Sequence, residues 1–154
     1  MSYVLQQNGF TVSTDPARLD VDAVHATLSQ TYWAEGIPRD VVERSLRGSL
    51  CFGLYALEEE GERQVGFARV ITDAATFAYL CDVYVLPEVR GRGLGKLLMR
   101  AVFEHPDLQG LRRFNLVTRD AHELYRQFGF AEIKNPDRHM EIVRPDLYKK
   151  PAPA

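Results

Sequence analysis

With 154 residues, 45% of them hydrophobic and 26% charged, the chain has the size and balance of one domain with one core. A formal net charge of −2 argues against general affinity for nucleic acid or for a membrane surface. Cys51 and Cys81 lie inside apolar runs and form no CxxC pair or Cys/His spacing, so no metal site or disulfide framework is expected and both thiols read as buried in a reducing compartment.

Residues 1–8 lack the basic-then-apolar build of a signal peptide, and no apolar run approaches the roughly 20 residues of a bilayer span. The expected location is the cytoplasm. Phe10–Ser13 reads as a short first strand. A helix follows, capped by Asp20 or Asp22, with Val21, Val24, Leu28 and Tyr32 along its apolar side. Gly36-Ile37-Pro38 breaks it, and Val41, Val42, Ser45 and Leu46 predict a second short helix.

Cys51–Leu57 and Gln64–Ile71 are β-like runs joined by the charged turn Glu58-Glu59-Glu60-Gly61-Glu62, which predicts a hairpin. Thr76–Val85, rich in aromatic and β-branched residues, is the strongest strand. Leu94, Leu97, Leu98, Ala101 and Val102 recur at the spacing of a buried helix face. Phe114–Val117 predicts a further strand. Ala121, Leu124, Tyr125 and Phe128 repeat the helical spacing, with Gly129 placed to end that helix. Residues 130–133 and 139–143 read as two closing strands around Asn135-Pro136. The order predicts a single α/β (α+β) domain over 1–146, a meander feeding a β-α-β-α unit, and a flexible tail over 147–154.

The strongest strand meets the strongest helix through Val85-Leu86-Pro87-Glu88-Val89-Arg90-Gly91-Arg92-Gly93-Leu94-Gly95-Lys96. Alternating glycines let a backbone approach a ligand closely, and the free N–H groups at a helix start attract phosphate. Arg90, Arg92 and Lys96 add positive charge there. A Walker loop fails, because its first glycine position holds Arg90 and Lys96 is followed by Leu97. A dinucleotide fingerprint fails from Gly91, where the last position is Lys96, and from Gly93, where it is Leu98. A glycine-rich turn that merely shapes a tight junction is the bland alternative, and a nucleotide-phosphate-binding domain the unrelated one.

Arg90-x-x-Gly93-x-Gly95 resembles the acetyl-CoA pyrophosphate loop of the GNAT N-acetyltransferases. Leu116-Val117-Thr118-Arg119-Asp120-Ala121-His122-Glu123-Leu124-Tyr125-Arg126-Gln127-Phe128-Gly129-Phe130 resembles the second signature of the same superfamily, and the two cover roughly residues 76–133. The resemblance implies the GNAT fold, a mixed and mostly antiparallel central sheet flanked by helices on both faces. It implies acetyl-CoA as cosubstrate with no metal, and direct acetyl transfer to the primary amine of a small molecule. A protein or peptide acceptor and a catalytically silent acyl-CoA-binding module are the alternatives. A homodimer is an analogy with the superfamily only.

By the same resemblance, the backbone of Val83, Tyr84 and Val85 pairs with the pantetheine arm, and the N–H groups of Gly91, Arg92, Gly93, Leu94, Gly95 and Lys96 hold the pyrophosphate. The N–H of Val83 polarises the thioester carbonyl. Tyr125 matches the tyrosine that protonates the departing thiolate, its free pKa near 10 suiting a proton donor. Against that stands the plain reading of Tyr125 as part of the apolar face with Leu124 and Phe128. Thr118 stands where the family usually has asparagine, and Cys81 where some members have a glutamate base. Strand alternation points Cys81 and Asp82 to opposite faces, so Asp82 does not inherit that base role automatically: it either serves as base in the acceptor site or ties down a neighbouring loop. Tyr32 and Trp33 with Phe77, Tyr79 and Tyr84 form a candidate aromatic acceptor pocket, or ordinary core.

Overall fold

The computed structural model describes residues 2–150. Among these, six strands form one sheet in sequence order: β1 (Val4–Gln7), β2 (Phe10–Ser13), β3 (Leu50–Glu58), β4 (Gly61–Thr72), β5 (Phe77–Val85) and β6 (Arg113–Leu116). The first five run antiparallel, and β6 joins β5 in parallel. A parallel neighbour needs a long crossover, which helix α3 (Leu94–Glu104) supplies. Helices α1 (Val21–Leu28) and α2 (Arg39–Arg47) fill the connection from β2 to β3, and the short helix α4 (His122–Arg126) follows β6.

Helices cover both faces, as the resemblance implies. On one face Phe52, Leu54, Ala68, Val70 and Leu80 pack with Leu94, Leu97, Leu98, Ala101 and Val102 of α3. On the other, Cys51 and Phe67 meet Val24 and Leu28 of α1 and Val42 of α2. Each large side chain buried in this way contributes roughly 1.5–3 kcal/mol. The cap of α1 is Asp20, whose carboxylate accepts the Ala23 N–H at 3.0 Å. Tyr32 lies beyond the end of that helix, in the connection to α2.

Two expectations are corrected. The sheet starts before Phe10, because Asn8 and Gly9 take positive φ (51° and 84°) and turn β1 onto β2. Asn-Gly is the residue pair such a two-residue hairpin turn favours. The two closing strands over 130–133 and 139–143 do not form. Asn135 is left-handed at φ 55° and Pro136 opens a short 3-10 turn over Pro136–Arg138, while Phe130 packs edge-on against Phe103 and Phe114. The chain beyond runs irregularly, with Met140 98% exposed, and β6 is left as a sheet edge. Of the expected tail, residues 151–154 lie outside the described residues. Lys149 pairs with Glu35 at 3.5 Å and with Asp146 at 2.8 Å.

Candidate functional site

The last residue of β5 paired to β6 is Leu80, opposite Leu116, whereas β5 continues to Val85. Residues 81–85 therefore present a strand edge with no β6 partner, and the sheet opens there. Val83, Tyr84 and Val85 lie along this edge. The Tyr84 side chain turns away into the α1 side, where burial above all pushes its phenol up to about 12. Its backbone, with those of its neighbours, suits an extended amide-bearing ligand.

The opening leads to the glycine loop. After the short turn Pro87–Val89, Gly91 (φ 82°) and Gly93 (φ 73°) are left-handed, and Gly93 starts α3 with no side chain capping it. Nothing lies within 4 Å of a Cβ built at either position, so conformation rather than crowding calls for glycine. The first-turn N–H groups of Leu94, Gly95 and Lys96 have no acceptor inside the helix, the arrangement that binds anions. Arg90 is committed otherwise: its Nε donates to the Val85 carbonyl at 3.1 Å and ties the loop to the end of β5. Arg92 borders a small cavity of about 220 Å³ with Asn8 and Phe10.

Tyr125 projects from α4 at 8% exposure, and a Cβ on Gly95 would lie 3.4 Å from its neighbour Leu124, so α3 and α4 start side by side. Burial above all, then Tyr32 and Asp120, pushes the Tyr125 phenol up to about 12, and it keeps its proton at neutral pH. Thr118 acts locally, its Oγ1 accepting the Ala121 N–H at 3.0 Å and so shaping the entry to α4. Thr118 and Tyr125 also border a cleft of about 640 Å³ that runs along β6 past His122, Phe130 and Ile133. That cleft touches neither the glycine loop nor Trp33.

Strand alternation fails at Asp82. Between the pairs Phe67–Tyr84 and Arg69–Cys81, Ala68 faces two residues, Asp82 and Val83. In this bulge Asp82 takes φ 55°, and its carboxylate joins Cys81 around the Arg69 guanidinium instead of facing away. Asp82 Oδ2 accepts Arg69 Nε–H at 2.8 Å, Asp82 Oδ1 accepts Trp33 Nε1–H at 2.8 Å, and Arg69 Nη1 donates to Ser49 Oγ at 3.0 Å. Trp33 stands edge-on to Tyr32, ring centroids 5.0 Å apart, and the Arg119 guanidinium lies 3.9 Å from the Tyr32 centroid. Burial pushes the Cys81 thiol up to about 12, so it is neutral.

Tyr32, Trp33 and Asp82 are thus brought to one place, with Tyr125 near Tyr32. Tyr79 is half-buried on the floor beside them, its phenol raised chiefly by burial. Phe77 is not brought in: it begins β5 opposite Arg113, at the far end from Asp82. The sequence reading did not single out Arg69, Ser49 or Arg119. A lone arginine inside the apolar run Val65–Ile71 was the available signal, because a charge there needs a buried partner.

Residues 52–132 match the family model described as the acetyltransferase (GNAT) domain. A Gibberella zeae protein whose name assigns it to the acetyltransferases is 43% identical, over 83% of this chain and 82% of that protein. A protein of Oryza sativa subsp. japonica named serotonin N-acetyltransferase 2, chloroplastic, is 31% identical, over 91% of this chain and 70% of its own. The crystal structure of a Xanthomonas campestris pv. campestris protein assigned to the GNAT family is similar at TM-score 0.88 and 53% identity, over 94% of this chain and 100% of that one.

Proposed function

From the premise that this chain belongs to the GNAT family of acetyltransferases, and so is an acyltransferase, we propose that it moves the acetyl group of acetyl-CoA directly onto the primary amine of a small molecule. The observation that carries this reading is the unpaired β5 edge leading into the uncapped start of α3, with a protonated, buried Tyr125 beside it. An extended amide arm fits the edge and a pyrophosphate fits the helix start.

In the proposed reaction the amine nitrogen bonds the acetyl carbon and the carbon–sulfur bond breaks. The Val83 N–H stabilises the charge on the carbonyl oxygen as this happens. Tyr125 gives its phenolic proton to the departing sulfur, and the proton lost from the amine passes to solvent, which restores the phenol. The acceptor enters from the side of Tyr32 and Trp33. The carboxyl-terminal segment borders that side, its Tyr148 carbonyl on Gly36, which favours a small amine over a long peptide there. The aromatic pair favours an apolar or aromatic body on that amine, as the name of the rice relative gives serotonin for that enzyme.

Calorimetric titration with acetyl-CoA, beside ATP and NADH, tests the cosubstrate on the parent protein and on Gly93→Ala. Binding of acetyl-CoA weakened at least about tenfold by the substitution is expected, from the strain a side chain meets in a left-handed backbone. No binding, or a preference for ATP or NADH, overturns the reading. Release of free thiol on adding small amines then distinguishes turnover from silent binding.

A further inference from the structure

The geometry points to Asp82 as a positioning residue that latches the loop between α1 and α2 onto the sheet, setting Trp33 and Tyr32 as the acceptor wall opposite Tyr125. This rests on the acetyltransferase reading above. A carboxylate on the strand next to the reacting carbonyl is where a general base would be sought, yet both Asp82 oxygens are committed to donors of the protein itself, Arg69 and Trp33. Its left-handed backbone is one that a side chain other than glycine rarely holds, and such a conformation persists where the surroundings fix it. Here the bulge turns the carboxylate onto the α1 side, and the buried Arg69, itself anchored to Ser49, keeps it there.

What the latch holds would otherwise be loosely held. Trp33 is 41% exposed and Tyr32 49%, so apolar burial alone fixes neither ring. The ends of the loop are tied separately, by Thr31 Oγ1 to the Leu28 carbonyl at 2.7 Å and by His25 Nε2 to the Ile37 carbonyl at 3.0 Å. Its middle is joined to the sheet through the Trp33 indole N–H. From there the order passes by contact: Trp33 edge-on to Tyr32, and Tyr32 under Arg119, which lies on the loop leading to α4 and Tyr125. Asp82 thereby acts on the acceptor through Trp33 and touches no reacting atom.

Trp33 is the one tryptophan in the chain, so its emission reports the latch directly. Two variants separate the roles. Asp82→Asn removes the charge, and Trp33→Phe keeps an aromatic ring and the Arg69–Asp82 pair but removes the N–H. With phenethylamine as acceptor probe, both are expected to raise the acceptor KM about tenfold, the loss that goes with one charge-assisted hydrogen bond. Acetyl-CoA affinity and the shape of the kcat pH profile stay as in the parent. The double variant is expected to be no worse than either single one. Asp82→Asn is also expected to shift Trp33 emission to the red and to raise its quenching by acrylamide.

A collapse of kcat in Asp82→Asn with loss of a pH limb, while Trp33→Phe is silent, would make Asp82 the base and overturn the latch. Unchanged emission and quenching in a folded Asp82→Asn would overturn it as well. Should Asp82→Asn fail to fold by circular dichroism, Trp33→Phe decides through the acceptor KM alone. Absence of acetyl-CoA binding in the parent would sink the acetyltransferase reading, whereas the emission test stands without any cosubstrate.

Discussion

The carbonyl oxygen of Tyr148 sits against Gly36 so closely that a Cβ at position 36 would overlap it. Two segments far apart in the chain, the loop between α1 and α2 and the carboxyl-terminal stretch, meet there backbone to backbone. Gly36 also holds φ 81°, so its identity answers both to conformation and to space.

Gly36→Ala is therefore expected to cost about 2 kcal/mol, roughly 1–2 from the left-handed backbone and the rest from displacing Tyr148. For a domain of this size that lowers Tm by roughly 4–8 °C. Gly9→Ala is the control, since Gly9 has φ 84° but nothing within 4 Å of a built Cβ. Thermal melts should show Gly36→Ala as the larger loss, with a raised acceptor KM that Gly9→Ala lacks. Equal losses in the two would mean that the contact with Tyr148 contributes nothing.

The Thr118 hydroxyl holds the Ala121 N–H ahead of α4. A hydrogen bond of this kind is worth about 1 kcal/mol net. Thr118→Val should lose about that much in urea unfolding and reduce kcat by loosening the helix that carries Tyr125. Thr118→Asn can keep the bond, because an amide oxygen accepts as the hydroxyl does, and should leave both close to the parent. Equal behaviour of the two variants would remove the hydroxyl from the account.

The path from β5 through the glycines to α3, β6 and α4 was legible because each part carries a local signal: β-branched and aromatic residues, alternating glycines, and leucines at helical spacing. The bulge at Asp82 was not, since a period of two along one strand says nothing of a register shift that needs β4 to define it. For the same reason Cys81 and Asp82 were expected on opposite faces. The closing strands failed differently. Ile133, Met140, Ile142 and Val143 have β-like side chains, but a strand also needs a paired edge, and the left-handed Asn135 with Pro136 sends the chain past β6 without pairing. β1 was readable from Asn8-Gly9 alone.

Alkaline pH should destabilise this fold steeply. Burial above all pushes the phenols of Tyr55, Tyr84 and Tyr125 and the thiols of Cys51 and Cys81 up to about 12. In the unfolded chain phenols ionise near pH 10 and thiols near pH 8.5. The folded state thus keeps protons that the unfolded state sheds, so stability is full below about pH 8.5 and falls as pH rises towards 12. Each phenol accounts for on the order of 1 kcal/mol by pH 11 and each thiol for about 3 kcal/mol. Urea midpoints at pH 7, 9 and 11 should fall across the last two, and a level midpoint would contradict the burial. The Tyr55 hydroxyl has no hydrogen-bond partner in its buried position. Tyr55→Phe should accordingly be neutral or stabilising at pH 7 and soften the alkaline loss.

Tyr125→Phe tests the chemistry most directly. The variant keeps the ring against Phe130, at 6.0 Å between centroids, and removes only the hydroxyl. Proton donation by a positioned side chain contributes roughly 10²–10⁴-fold, so kcat should fall by at least about a hundredfold while acetyl-CoA affinity and Tm stay near the parent. Because the phenol is held up to about 12, the parent's kcat should show no falling limb from Tyr125 below about pH 10. The sign is set by burial: the neutral, proton-bearing form is the one favoured in the folded protein, and only strongly alkaline solution removes it. A falling limb near pH 10 that disappears in Tyr125→Phe would show an exposed phenol. Full activity of the variant would give the proton transfer to solvent, and Tyr125 would return to being one more apolar residue between Leu124 and Phe128.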